Sequence, residues 1–190
     1  MSRTATTFGS RSPLERLLRG YTAESDTERV DLDRTRALLA TGGTADPWSR
    51  SSPLHVTASA LIVDRATQQV LLRWHTRQQA WLHVGGHADP DETDALAVAV
   101  REAREETGLD DLAPVRPAPI HIVIVPVPAS STESTHEHAD IRFVLTTARP
   151  DLARPEKPDA PLRWLSVSDA YAFTTEENLR KTLTRLARLD

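Results

Sequence analysis

Leu14, Leu17 and Leu18 share one helical face behind Ser12 and Pro13, and Gly20 follows, so the spacing predicts a short helix capped by Ser12. A second helix is expected from Asp26 to Leu39, ahead of Gly42 and Gly43. The stretch from there to Pro53, with two prolines and several serines, reads as a linker, and residues 1–11 read as a frayed polar arm. Beyond residue 53 the period becomes extended. His55 to Asp64 and Gln69 to His75 are aliphatic and β-branched runs joined by a short polar turn, which predicts a hairpin. Further strands are expected at Ile120 to Val127, Ile141 to Thr146 and Leu162 to Leu165, with helices from Ser168 and Thr175. One long helical pattern, Thr93 to Thr107, is stopped by Gly108. The expected fold class is therefore α/β: a mixed sheet sandwiched between helices, with residues 54–190 as the domain and residues 1–53 as an arm, helical extension and linker.

Composition narrows the partners. The 190 residues are 39% hydrophobic and 26% charged, as in an ordinary globular chain, and 23 basic against 27 acidic residues give a net charge of -4. No basic surface for nucleic acid is forced, and no run of ~18 apolar residues predicts a membrane span. A cytoplasmic location is the default expectation. Cysteine is absent, which excludes thiolate metal sites and cysteine nucleophiles, so any metal must use oxygen or imidazole ligands.

The segment GGHADPDETDALAVAVREAREETGL, residues 85–109, concentrates the chemistry. Leu96, Val100, Ala103 and Thr107 form an apolar stripe, and Glu102, Glu105 and Glu106 fall within about 100° of arc beside it. Glu102 and Glu106 are a like-charge i, i+4 pair that calls for a cation. By angular count Arg101 and Arg104 point away, leaving a divalent ion such as Mg²⁺ as the better match; the plain alternative is a solvated acidic face. Gly85 and Gly86 end an aliphatic strand and permit close backbone approach. Asp91 and Asp94 are read as caps of the helix that follows.

These residues resemble the signature of the Nudix hydrolases, Gly-x5-Glu-x7-Arg-Glu-aliphatic-x-Glu-Glu-x-Gly-aliphatic. Arg101, Glu102, Ala103, Glu105, Glu106, Gly108 and Leu109 match its second half. Five residues separate Gly86 from Glu92 as the pattern asks, but eight rather than seven separate Glu92 from Arg101. An extra residue inside the helix would turn Glu92 about 100° from the cluster, so the insertion is expected in the loop around Asp89 to Thr93. The agreement extends over residues 55–188, where PLRWLSVSDA is similar to the Trp-containing strand and short helix that close such domains.

The resemblance implies a Nudix fold and hydrolysis of a nucleoside diphosphate linked to another group, by attack of water on phosphorus aided by Mg²⁺ or Mn²⁺. It implies Glu102, Glu105, Glu106 and the Gly86 carbonyl as metal ligands, Glu105 or Glu102 as general base, and Arg101 as the residue orienting the cluster. Glu137 is a candidate distal ligand. Homodimerisation is an expectation of the same kind. A nucleotide-sensing domain without turnover is the rival reading.

Arg73, His75, Arg77 and His87 flank the glycines and are candidate phosphate contacts. In an extended strand His136, His138, Asp140 and Arg142 face one way. That set leaves a solvated face, a phosphate site (Arg142 in particular) and an auxiliary metal site open. Trp74 and Trp81 could stack a base, but the expectation for them, as for Trp164, is a place in the core.

Overall fold

The computed structural model describes residues 12–40, 46–130 and 133–189; the arm 1–11 and part of the linker lie outside the described residues. The chain runs α1 (Pro13–Gly20), α2 (Asp26–Ala40), β1 (Leu54–Asp64), β2 (Val70–His75), β3 (Ala80–Leu82), β4 (Val84–His87), α3 (Ala95–Thr107), β5 (Ala113–Pro114), β6 (His121–Val127), β7 (His136–Thr147), β8 (Leu162–Leu165), α4 (Val167–Phe173) and α5 (Glu177–Leu186). Ser12 caps α1 by accepting from the Glu15 N–H, as its position predicts.

Strand β1 organises the sheet. One edge pairs in parallel with β7 along its whole length, Leu54 with Glu137 through Asp64 with Thr147. The other edge is divided: β4 pairs antiparallel at Thr57–Ala60 and β2 at Ile62 and Val63. The predicted hairpin is therefore real but short, because β1 turns most of that edge over to β4. Strand β8 extends β2, and β6 and β5 continue beyond β7.

Both faces of β1 are buried: one is apolar from Val56 to Ile62, whereas the other carries His55, Thr57 and Ser59 before it turns apolar at Leu61 and Val63. Val56, Ala58, Ala60 and Ile62 join Ala139, Ile141, Phe143 and Leu145 of β7 in one core with α1, α2 and α3. Leu61, Val63 and Val144 pack on the opposite face with Ala170, Leu179 and Leu183 of α4 and α5. The sheet is thus sandwiched between helices, as the element order implies. Trp48, within the predicted linker, is buried in the first core, and Trp164 packs against it with its indole N–H donated to the Pro150 carbonyl at 3.2 Å.

The N-terminal helices do more than pack. Among the described residues strand β6 has one edge without a strand partner, and α2 lies along it. Glu28 Oε1 accepts from the Ile122 N–H at 3.2 Å and Asp31 Oδ2 from the Ile124 N–H at 3.1 Å, so carboxylates occupy backbone donors that another strand would seek. Glu28, only 2% exposed, also accepts from both Arg185 Nη atoms at 2.7 Å, from the Glu24 N–H at 2.6 Å and from the Tyr21 hydroxyl. Burial works against its ionisation, but these donors outweigh burial and hold its carboxyl down to about 2.

That depression has a defined sign. The folded-state value lies below the usual 4.5, so the stabilisation is complete above about 4.5 and is lost as pH falls toward about 2. Glu28→Gln is expected to lower the unfolding free energy at pH 7 by about 3–5 kcal/mol, the cost of breaking a buried pair. The gap from wild type should narrow as urea denaturation is repeated from pH 4.5 downward, and a gap that stays constant would contradict the assignment.

Candidate functional site

The acidic segment folds as a loop and then α3. Asp94 Oδ1 caps α3, accepting from Leu96 N at 2.9 Å and Ala97 N at 3.4 Å, and Gly108 ends the helix in the left-handed region at φ 67°. Asp91 does not cap; it takes a left-handed turn position at φ 72°. The buried stripe also differs from expectation. Ala95, Val98, Ala99, Ala103 and Thr107 face the sheet, with Leu96 and Val100 at the flank. Small side chains at i, i+4, i+8 and i+12 let α3 lie close on β1 and β4, and this rotation sinks Glu102 and Glu106 into the edge of the interface.

Glu102 lies against Gly86: a Cβ at Gly86 would sit 2.7 Å from the carboxylate carbon and both its oxygens. Glu106 Oε2 accepts from the Gly85 N–H at 3.0 Å, and Gly85 itself has φ 149° with Ser59 pressed against it. The two glycines thus open a cradle for two carboxylates. Burial raises the Glu102 pKa despite Arg101, and it pushes Glu106 up to about 7 against the opposing Arg73 charge and Gly85 N–H.

The arginines are closer than angular counting suggests. Arg101 Nη1 donates to Glu102 Oε1 and Glu105 Oε2, both at 3.0 Å, while its Nε and Nη2 grip Glu92 at 2.9–3.2 Å and Nη2 also reaches the His87 carbonyl at 2.8 Å. A helical wheel tracks Cβ directions, whereas a long guanidinium folds back along the surface. Arg101 therefore does orient the cluster. Glu92 is its partner in spite of the extra residue, because that residue is taken up before α3 begins at Ala95. On the other side Arg73 Nη1 lies 3.1 Å from Glu106 Oε1, and buried Arg73 Nε finds no acceptor among the described residues.

All three glutamates are consequently salt-bridged. Two arginines nonetheless face Asp89, Glu92, Glu102, Glu105, Glu106 and Glu156, so negative charge remains in surplus. Glu102 Oε2 and Glu105 Oε1 accept no hydrogen bond among the described residues. Partly buried carboxylates with unused oxygens beside a backbone cradle suit a hard divalent cation.

Other predicted residues separate from this cluster. Arg142, 2% exposed, donates to Asp140 at 2.8 Å, to the Asn178 carbonyl at 3.1 Å, to Asn178 Oδ1 at 2.7 Å and to Thr182 at 2.9 Å. Helix α5 covers it, which removes it from phosphate contact. Glu137 pairs with Arg34 of α2 and is not gathered to the glutamates. Arg77 pairs with Glu133, and His75 Nδ1 accepts from the Gln78 N–H at 3.1 Å in its own turn. Trp74 and Trp81 meet edge to face at 5.7 Å.

His87 turns to the other face of the sheet, where it packs against His55 and His138, which both meet His136. Burial holds His87 down to about 3 and His138 to about 4, and lowers His55 as well. Sequence reading missed His55, whose position in an apolar strand gives no sign of polar company. It also missed His83, whose Nε2 lies 3.3 Å from Asp140, a carboxylate that further accepts from Thr57 and Ser59. Among the described residues no helix is long and apolar enough to cross a membrane.

Comparison with known proteins agrees with this architecture. No curated protein matches the chain in sequence. Among solved structures it is similar to the C. elegans Ap4A hydrolase binary complex, at 18% identity and TM-score 0.56 over 70% of this chain and 95% of that one. It is equally similar to the E. coli dihydroneopterin triphosphate pyrophosphohydrolase, at 19% identity and 0.56 over 73% and 97%. A NUDIX-family hydrolase from Clostridium perfringens follows at 24% identity and 0.53 over 72% and 98%. These likenesses establish the fold. A family model described as the NUDIX domain matches residues 53–186, which hold the glycine pair, the glutamates and both arginines, and the chain accordingly belongs to the Nudix hydrolase family.

Proposed function

We propose that the protein hydrolyses the diphosphate linkage of a nucleoside diphosphate joined to another group, with Mg²⁺, or Mn²⁺ in its place, held by Glu102, Glu105 and Glu106 beside the Gly86 carbonyl. The observation that carries this reading is the surplus of carboxylates packed against Gly85 and Gly86, faced by Arg73 with a buried donor unused. An unpaired buried N–H is costly, and a phosphate oxygen is the acceptor that would relieve it.

When bound, the ion would neutralise phosphate oxygens and stabilise the leaving group. Glu105 has the most accessible carboxylate of the three, about half exposed, with one oxygen unused, and serves as the general base that takes a proton from water. Glu102 is fixed by Gly86 and Arg101 and acts as a ligand. Arg101 positions Glu102 and Glu105 from its anchorage on Glu92. Glu106, held by the Gly85 N–H, would be a ligand beside Arg73, whose fork would face the phosphate. The substrates of the structural neighbours, Ap4A and dihydroneopterin triphosphate, place such linkages among the first to try.

The deciding assay is phosphate release with Mg²⁺ from sugar nucleotides, dinucleoside polyphosphates, ADP-ribose and nucleoside triphosphates. At least one should be turned over, and EDTA should stop it. Glu105→Gln should lower kcat by about 10²–10⁴-fold, the usual range for loss of a general base, and Glu106→Gln should raise the Mg²⁺ requirement. Saturable nucleotide binding with no turnover across the panel would instead favour the sensing reading.

Gly86→Ala offers a separate check. Its methyl group must displace the Glu102 carboxylate, so activity should fall by about 10²-fold, the scale of a roughly 1 Å misplacement. Circular dichroism should stay native, and full activity in a folded variant would remove Glu102 from the site.

A further inference from the structure

Four of the seven histidines gather on the sheet face opposite α3. His55 lies on β1 directly across from His138 of β7, and His87 on β4 pairs with Thr57, two residues further along β1. Adjacent strands therefore bring these rings together by register alone. One ring nitrogen from each of His55, His87 and His138 lies within 4.8 Å of the others. His55 Nε2 is 3.0 Å from His87 Nε2, and His136 Nε2 is 3.1 Å from His138 Nε2.

Two of the rings have their hydrogens assigned by backbone. His55 Nδ1 is 2.9 Å from the Ser52 carbonyl and His136 Nδ1 is 2.8 Å from the Ser134 carbonyl. A carbonyl only accepts, so each Nδ1 carries the hydrogen. In the neutral ring each Nε2 then presents a lone pair to the cluster, where it accepts from the Nε2–H of His87 or His138 until a metal takes that hydrogen's place. A carbonyl fixing one nitrogen while the other is presented is the arrangement that orients histidine ligands around metals.

We propose that His55, His87 and His138, with His136 beside them, form a binding site for a borderline divalent transition metal such as Zn²⁺, separate from the glutamate cluster. Tetrahedral Zn²⁺ with bonds of about 2.0–2.1 Å sets its nitrogens roughly 3.3 Å apart, so the rings need shifts of roughly an ångström. Imidazole donors suit Zn²⁺ far better than Mg²⁺, whereas the all-oxygen set near Gly86 is one that Mg²⁺ or Mn²⁺ accepts. Asp140, Glu133, paired with Arg77, and Arg50 are the charged groups that act on these rings electrostatically. Bound there, the ion ties β1, β4 and β7 together where β4 carries Gly86, and so serves to fix the cradle from behind.

Its test is direct titration of chelator-stripped protein with Zn²⁺ by calorimetry and with Co²⁺ by visible absorption. One equivalent is expected, with the intense absorption of four-coordinate Co²⁺, a higher Tm, and no displacement by millimolar Mg²⁺. His87→Gln and His138→Ala should each weaken Zn²⁺ by more than about 100-fold, exceeding the loss seen when only supporting contacts go. Glu105→Gln should leave it unchanged, which separates this site from the proposed hydrolytic one. Absence of stoichiometric binding in wild type overturns the proposal whether or not the variants fold. Binding lost with Glu105→Gln but kept in the folded histidine variants overturns it as well.

Discussion

Alternation along β1, β4 and β7 decides what each face of this sheet can do. With a period of two, Gly86 and Ala58 must face α3 while His87 and Thr57 face away, and the parallel register sets His55 opposite His138. The carboxylates and the imidazoles are thus assigned to opposite faces of one four-residue strand. A one-residue slip of β4 would exchange them, presenting an imidazole where Glu102 requires bare backbone. The close fit of Gly85 against Ser59 opposes such a slip, since no side chain can occupy that position.

On the α3 face the central problem is like charge at close range. Glu102 and Glu106 sit one turn apart, half sunk into an interface built from alanines, and each would repel the other if left uncompensated. Arg101 and Arg73 approach from opposite sides and divide the work: one spans Glu92, Glu102 and Glu105, the other meets Glu106 and Glu156. Neither neutralises the group fully. Burial still raises Glu102 and Glu106, which marks them as carboxylates held in poorer solvation than two guanidiniums repair.

What the sequence conveyed followed from how local each signal was. Period and caps located helices and strands because Ser12, Asp94 and Gly108 act within one turn of themselves. The glutamate arc was legible because a helix fixes its own geometry. Side-chain reach was not, and Arg101 escaped the wheel for that reason. Partnership between distant strands was invisible too. His136, His138, Asp140 and Arg142 were seen to share a face, but α5, forty residues on, converts half of that face into interior. Arg142 then directs four of its five donors to Asp140, Asn178 and Thr182 and lies buried beneath α5, out of reach of phosphate.

Burying Asp140 and Arg142 would be unfavourable for an isolated pair, and the surroundings explain why it is tolerated. Ser59, Thr57 and His83 supply further donors to the carboxylate, while Thr182 links Arg142 to His121 through contacts of 2.9 Å. The polar chain therefore runs beneath α5 from β6 to the start of β4. At the β6 end Arg185 of the same helix grips Glu28, which in turn occupies the Ile122 N–H. Helix α5 thereby joins the edge covered by α2 to the strand that carries the glycine cradle. The N-terminal helices, which precede the matched family region, are connected to the site through this helix and the shared core.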